Sequence, residues 1–233
     1  MEWFDRVTAS ASALPATDAS IPLRGLIALS REVVSGYGIL YGEGIITKIL
    51  TDDMMGNINR LAHALAQMEA PPLSSAAAPP APPAAYGPGG PTLANLLQWR
   101  PRPDSPPPTP HDAGVYGARW VARTLRFVSI LLRKLGADPA LQISDAGRAT
   151  YALTIAPFHA PVMAFVVGFV LRWAPRRQWV LDVPLKGASA ESASAACAAL
   201  SGLVGAVAEG VGAALAEAGL DYTDKISAIP GGW

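Results

Sequence analysis

The chain has 233 residues, 51% of them hydrophobic and 15% charged, and its 18 basic and 18 acidic side chains cancel to a formal net charge of zero. That length is enough for one domain with a sizeable core. Balanced charge without a run of Lys and Arg argues against a nucleic-acid partner, because phosphate binding needs a local basic excess.

Residues 1–20 are rich in Ala, Ser and Thr and are expected to be loose, ahead of a single domain over residues 21–233. The opening Met1-Glu-Trp-Phe-Asp5 lacks the basic start and apolar stretch of a secretory signal, so a reduced, cytoplasmic setting is expected. Helical spacing begins at Leu23, with Leu26, Ile27, Leu29, Val33 and Val34 apolar, and runs to Ser35. Gly36, Gly38, Gly42 and Gly44 interrupt it, and the pattern resumes near Ile45 and continues to about Met68. Two proline-rich tracts follow, at about 71–91 and 101–110. Both have too few branched apolar residues to bury anything and read as flexible or polyproline-like loop insertions. Between them, Thr92 to Trp99 makes two helical turns.

Val115 to Leu135 reads as a long helix, with Leu125, Val128, Leu131, Leu132 and Leu135 at helical spacing and Gly136 as its end. Ser144-Asp145 starts the next helix, which must kink or restart at Pro157. The apolar stretch from Ala152 to Ala174 is long enough to span a bilayer, but Pro157, His159 and Pro161 break its first half. Its uninterrupted part, Pro161 to Leu171, is too short to span and suits burial between helical layers. Ser189 to Gly219 is a final helical stretch of small residues. The one cysteine, Cys197, lies there among alanines; it excludes an internal disulfide or a cysteine-built metal site and reads as a small buried hydrophobe. Nothing alternates with period two, so the fold class is all-α.

Chemistry concentrates in Asp53-Met-Met-Gly-Asn57-Ile-Asn-Arg60, where a carboxylate, an amide and a guanidinium at i, i+4 and i+7 share one helical stripe. The stripe interrupts an apolar run from Ile45 through Leu50 to Ile58 and Leu61, making a polar patch at the edge of an apolar surface. Such a patch suits a ligand with a polar head and an apolar tail. Taken singly, these residues also have plainer readings. Asp53 and Arg60 could form a surface ion pair, Trp120 a core aromatic, and His159 a structural histidine. The arginine groups Arg119, Arg123, Arg126 and Arg172, Arg176, Arg177 suit solvated helix faces or an anionic lipid surface equally.

Read together, the motifs resemble one family. Asp53-x-x-Gly56-Asn57-Ile58-x-Arg60 resembles the Asp-x-x-Gly-Asn-Ile-x-Lys signature of the glycolipid transfer protein family. Arg119-Trp120-Val-Ala-Arg123-Thr-Leu125-Arg126-Phe127 is similar to its Trp-Leu-Lys-Arg-Gly-Leu-Arg-Phe segment. The stretch from Tyr151 to Phe158-His159 resembles one ending in Tyr-His, and Trp173-Ala-Pro175 is a weaker match. All fall in the family's order, between about Leu26 and Trp179.

The resemblance implies a two-layer helical sandwich enclosing a hydrophobic lipid pocket, and a carrier that moves one sphingolipid between membranes. Carried over position by position, it implies that Asp53 accepts hydrogen bonds from the ceramide amide and sugar hydroxyls. Asn57 and Arg60 would meet further hydroxyls, Trp120 would stack on the sugar, and His159 would hold the ceramide carbonyl. Arg60 stands where the family has lysine. His159 is followed by Ala160-Pro161 where glycolipid-specific members have Gly-Trp, so Trp173, Trp179 or Trp233 becomes the candidate interface anchor. Ceramide-1-phosphate binders carry arginines at the positions of Tyr116 and Trp120; aromatics there favour glycosylceramide over ceramide-1-phosphate, which stays as the alternative. A lipid sensor acting through a protein partner is a second alternative. The expected partners are the sphingolipid and, transiently, a membrane surface, with the protein a monomer. No catalytic residue, metal or cofactor is expected, since an Asp53–His159 acid–base pair would stand without a nucleophile motif, phosphate loop or metal spacing.

Overall fold

The computed structural model describes residues 2–15, 19–42, 44–70, 86, 87, 89–101, 104–177, 185 and 188–221. Every regular element among them is helical, in keeping with the all-α class expected from the sequence.

Helix α1 (Glu2–Ser12) corrects the expectation of a loose start. Phe4, Val7 and Ala11, at i, i+3 and i+7, form a narrow apolar stripe that is buried. Trp3 Nε1 donates to the Glu32 carbonyl at 2.8 Å and Arg6 pairs with the Glu32 carboxylate at 2.8 Å, so the segment is docked at its polar edge too. The Ala/Ser/Thr composition had hidden that stripe.

Helix α2 (Leu23–Tyr41) runs through Gly36 and Gly38 rather than stopping at Ser35. It ends at Gly42, whose φ of 67° is the left-handed conformation that glycine adopts at no steric cost, and whose N–H closes the last turn onto Gly38. Helix α3 (Ile45–Glu69) follows, with Met54, Ile58, Leu61, Leu65 and Met68 in the core. Most of the first proline tract lies outside the described residues. Its end packs nevertheless: Tyr86 Oη donates to Met68 O at 3.3 Å and Leu23 N to Pro91 O at 3.0 Å. Helix α4 (Leu93–Gln98) starts at a reciprocal cap in which Thr92 and Asn95 satisfy each other's backbone N–H groups.

Helix α5 (Ala113–Ala137) is the structural axis. It runs antiparallel to α3, and the two backbones meet at Gly117: a Cβ there would lie 2.6 Å from Asn57 O and 3.0 Å from Leu61 N. No side chain fits that gap, so glycine sets the distance between the helices that carry the polar stripe. Further along, Thr124 Oγ1 donates to Met54 Sδ at 3.2 Å. The second proline tract is anchored at its end rather than free, because Arg119 Nη2 donates to Pro110 O at 2.7 Å.

Helix α6 (Ile143–Thr154) ends before Pro157, a 3-10 turn spans Ala156–Phe158, and α7 (Pro161–Arg172) restarts with proline in its first turn, as the sequence required. Helix α8 (Ala190–Glu217) is long and apolar enough to cross a membrane, but half of its apolar window is buried inside the fold. It packs along α5, and Ser129 and Ser201 exchange hydroxyl-to-carbonyl bonds of 2.9 Å each across that contact. Contacts close a circuit α1–α2–α3–α5–α8–α1, with α6 against α5 and α7 against α6. Inside it, an apolar cavity of about 80 Å³ is lined by Trp3 and Phe4 of α1, Val33 of α2, Leu131 and Leu132 of α5, and Cys197 of α8.

Candidate functional site

The stripe predicted on α3 forms as a bonded unit. Asn57, only 4% exposed, donates from Nδ2 to Asp53 O at 3.1 Å and accepts at Oδ1 from Arg60 Nη1 at 2.9 Å. The amide therefore locks the guanidinium in place. Asp53 and Arg60 are not among the ion pairs of the described residues, so the surface-pair reading does not hold. Burial raises the Asp53 pKa, and the charge of Arg60 offsets this only in part. The bond from Asn57 reaches the main chain of Asp53, and its carboxylate is a hydrogen-bond acceptor on the same face of α3.

Helix α5 brings the aromatic wall. Tyr116 and Trp120 sit one turn apart with ring centres 6.3 Å from each other. The guanidinium carbons of Arg60 and Arg119 lie 5.1 and 5.5 Å from the Tyr116 ring centre. Trp120 stacks on His159 with centroids 5.1 Å apart and planes at 29°, and its Nε1 is buried with no hydrogen-bond partner. Arg123 lies over both Trp120, at 5.3 Å, and Phe158, at 3.5 Å.

His159 closes the site from the turn after α6. Its Nδ1 is 2.8 Å from Tyr151 Oη. Burial, helped by the charge of Arg123, lowers the His159 pKa to about 4, while burial and the charge of Asp53 push Tyr151 up to about 12. At neutral pH the phenol is thus protonated and the imidazole neutral. The two share one hydrogen bond, and in the tautomer in which the phenol donates to Nδ1 the imidazole proton lies on Nε2. Arg123 is lowered to about 10, first by burial and then by Arg119, with Asp221 at 3.6 Å acting the other way, so it stays charged.

Asp53, Asn57, Arg60, Trp120 and His159 therefore converge, although they come from three elements. In the sequence Tyr116 served only for head-group choice and Tyr151 only as the start of a motif, and neither was placed among the site residues. Tyr116 bridges Arg60 to Trp120, and Tyr151 orients His159. The signals were present: Tyr116 is one turn ahead of Trp120, and Tyr151 opens the segment that ends in His159. Arg119 and Arg123 also correct an expectation, since they are 1% and 8% exposed rather than on a solvated face. Trp173 is exposed; Trp179 and Trp233 lie outside the described residues. The arrangement combines a half-buried carboxylate, several N–H groups and an indole that is 6% exposed, stacked on by His159 and covered by Arg123.

Among curated proteins, none matches this sequence. Among solved structures, human ceramide-1-phosphate transfer protein in complex with 12:0 ceramide-1-phosphate superposes with a TM-score of 0.69 at 16% identity, over 93% of this chain and 96% of that one. HET-C2, a fungal glycolipid transfer protein, gives 0.66 at 17% identity over 88% and 92%. The glycolipid-transfer-protein fold of FAPP2, described as selecting simple glycosphingolipids, gives 0.66 at 17% identity over 96% and 99%. At these identities the likeness establishes the shared all-helical fold. The sequence profile described as Glycolipid transfer protein (GLTP) matches residues 21–183, which is most of the chain. The chain belongs to the glycolipid transfer protein family, whose members are lipid transfer proteins rather than enzymes.

Proposed function

We propose that the protein is a carrier for one glycosphingolipid, with the sugar and amide at Asp53, Asn57, Arg60, Trp120 and His159 and the chains directed into the apolar interior. What supports this is the half-buried Asp53 carboxylate, near enough to Tyr151 to raise its pKa, on the helix whose Arg60 lies over the Tyr116 ring. An indole presents a broad apolar face to the C–H side of a hexose and offers a phosphate no charge. The nearby arginines are already engaged: Arg119 holds Pro110 O, and Arg123 lies between Trp120 and Phe158 and pairs with Asp221. In its Nε2–H tautomer the neutral imidazole is a donor suited to a ceramide carbonyl. The protein acts as a monomer in the cytoplasm, reaching membranes only transiently.

A docking face lies beside the site. On α7 and just past it, Val162, Phe165, Phe169 and Trp173 are spaced by three, four and four residues and are all exposed, Phe165 by 75%. They form one apolar stripe, with Arg172 and Arg176 nearby for an anionic surface. This stripe takes the role left open by Ala160-Pro161.

Vesicle-to-vesicle transfer tests the reading. Wild type should move glucosylceramide or galactosylceramide without energy input and in preference to ceramide-1-phosphate. Trp120→Ala should weaken glycosylceramide transfer strongly and ceramide-1-phosphate transfer less. Trp120→Arg combined with Tyr116→Arg should shift preference to the phosphate lipid through charge-assisted contacts. A wild-type preference for ceramide-1-phosphate would overturn the choice of head group.

A further inference from the structure

One charged side chain ties together the two aromatic parts of the candidate site. Arg123 follows Trp120 by three residues on α5, so the two share a face of that helix. Its guanidinium carbon lies 5.3 Å from the Trp120 ring centre and 3.5 Å from that of Phe158, the residue before His159. The shorter separation is van der Waals contact, which a planar guanidinium reaches by lying flat on a ring. His159 in turn stacks on Trp120, with centroids 5.1 Å apart. Guanidinium, indole, phenyl and imidazole therefore form one packed cluster, in which Arg123 joins the α5 aromatic to the turn after α6.

Arg123 is also held from a third element. Past α8 the chain turns back at Gly219, whose φ is 68°, so that Leu220 N bonds Leu215 O at 2.8 Å and Leu220 is buried. That turn delivers Asp221 to Arg123, with Oδ1 3.6 Å from Nη2. Asp221 N bonds the same Leu215 carbonyl at 3.2 Å, which fixes the residue by its backbone. The Asp221 side chain is 42% exposed, so solvent screens the pair and it adds little stability by itself.

Stability alone gives no reason for a guanidinium at this place. Burial first, and Arg119 second, lower the Arg123 pKa to about 10, so the charge is held against its surroundings. A methionine or leucine of similar bulk would fill the space without that desolvation. An apolar chain would lack the rigid plane that lies against two rings at once and the charge that Asp221 fixes from behind.

We propose that Arg123, latched by Asp221, is a positioning residue that sets the placement of Trp120 relative to His159 for the bound lipid. The inference rests on the reading of those two as ligand-binding residues. Helix α5 carries the indole and the turn after α6 carries the imidazole; without the guanidinium between Trp120 and Phe158, each ring follows its own backbone.

Three variants of the full chain separate charge from shape. Arg123→Met removes the charge and keeps the length, Arg123→Lys keeps the charge without the plane, and Asp221→Asn removes the latch. The readouts are the His159 C2–H resonance of the lipid-free protein and half-saturation of transfer by galactosylceramide and by ceramide-1-phosphate in phosphatidylcholine vesicles. His159 lies in the ring current of Trp120, so its C2–H should shift in all three variants as the stack loosens, least in Asp221→Asn. Its titration midpoint should rise in Arg123→Met, which loses a like charge, and stay near that of wild type in Arg123→Lys. Half-saturation by the lipid that wild type binds should rise about fivefold in both Arg123 variants, the scale of one net contact, with the maximal rate little changed. If Arg123→Met does not fold, the other two variants decide. Unchanged half-saturation overturns the proposal whatever the resonance does. Weaker binding that tracks a lower thermal midpoint, with the resonance unmoved, makes Arg123 a structural residue and overturns it too. Wild-type transfer of ceramide-1-phosphate alone overturns the glycolipid reading and not this one, because the variants are compared on whichever lipid binds.

Discussion

At the scale of single residues, burial shifts the titration of two groups in the candidate site in opposite directions. Burial raises the Asp53 pKa, so its ionised form at neutral pH is less stable in the folded chain than in the unfolded one. For a carboxylate shifted upward, that stability is present at low pH and lost as pH rises through the folded pKa. Asp53→Asn should therefore keep or raise the thermal midpoint near pH 7 while cutting glycolipid binding about tenfold or more, from ligand donors left unpaired. Calorimetry with a transfer assay reads both, and a lowered midpoint with normal transfer would show Asp53 to be a structural residue. His159 shifts the other way. Its pKa falls from an ordinary 6.5 to about 4, so as pH drops the unfolded chain takes up the proton first. Its contribution to stability is full above about pH 6.5 and is lost as pH falls toward 4. The imidazole C2–H resonance should stay at its neutral position from pH 7.5 to about 5 in wild type, and Tyr151→Phe should alter its tautomer balance; a midpoint near 6.5 in wild type would refute the buried, neutral state.

At the scale of elements, the α3–α5 contact decides whether these residues meet. Gly117 leaves no room for a methyl group against Asn57 O. Gly117→Ala should push α3 away from α5, destabilise the fold by about 1–3 kcal/mol and reduce binding even though no site residue changes. A denaturant titration beside a transfer assay measures the two effects together; unchanged values would mean the backbones can separate freely. The first proline tract makes the opposite prediction. Tyr86 Oη is 3.3 Å from Met68 O, so the chain on either side of residues 71–85 returns to nearly the same place. Replacing 71–85 by a short Gly/Ser link should leave folding and transfer intact, because loop length alters closure entropy only slowly. Residues 86–91 should be kept, since Pro91 O is bonded to Leu23 N. Loss of activity in a folded protein would favour a protein-partner role for the tract.

At the scale of the whole molecule, the exposed stripe on α7 is the face that the proposed carrier would set against a membrane. Phe165→Ser with Phe169→Ser should slow transfer between vesicles about tenfold or more, as two aromatic side chains no longer enter the bilayer. The double variant should still bind detergent-solubilised glycosylceramide like wild type, which intrinsic fluorescence can follow. Equal loss of binding and transfer would mean the stripe supports the site rather than the membrane contact.

The sequence by itself determined the helical class, most helix positions and the identity of the polar stripe. These follow from local rules: 3.6-residue periodicity, caps such as Thr92, and breaks such as Gly42 and Pro157. The candidate site residues could be named from the sequence because Asp53, Asn57 and Arg60 lie within eight positions on one helix, and because the ordered motifs resemble a known family. Tertiary structure decided the rest. The stripe Phe4, Val7, Ala11 is too short to stand out from its Ala/Ser/Thr composition, and only its burial shows α1 to be part of the core. Arg119 and Arg123 look solvated in sequence because charge predicts exposure. Their burial depends on aromatic partners, Tyr116, Trp120 and Phe158, whose approach depends on how α5 meets the turn after α6. The Tyr151–His159 bond likewise needs the break at Thr154 to fold the chain back. Periodicity reports which face of a helix is buried; what that face meets is set by packing between elements distant in the chain.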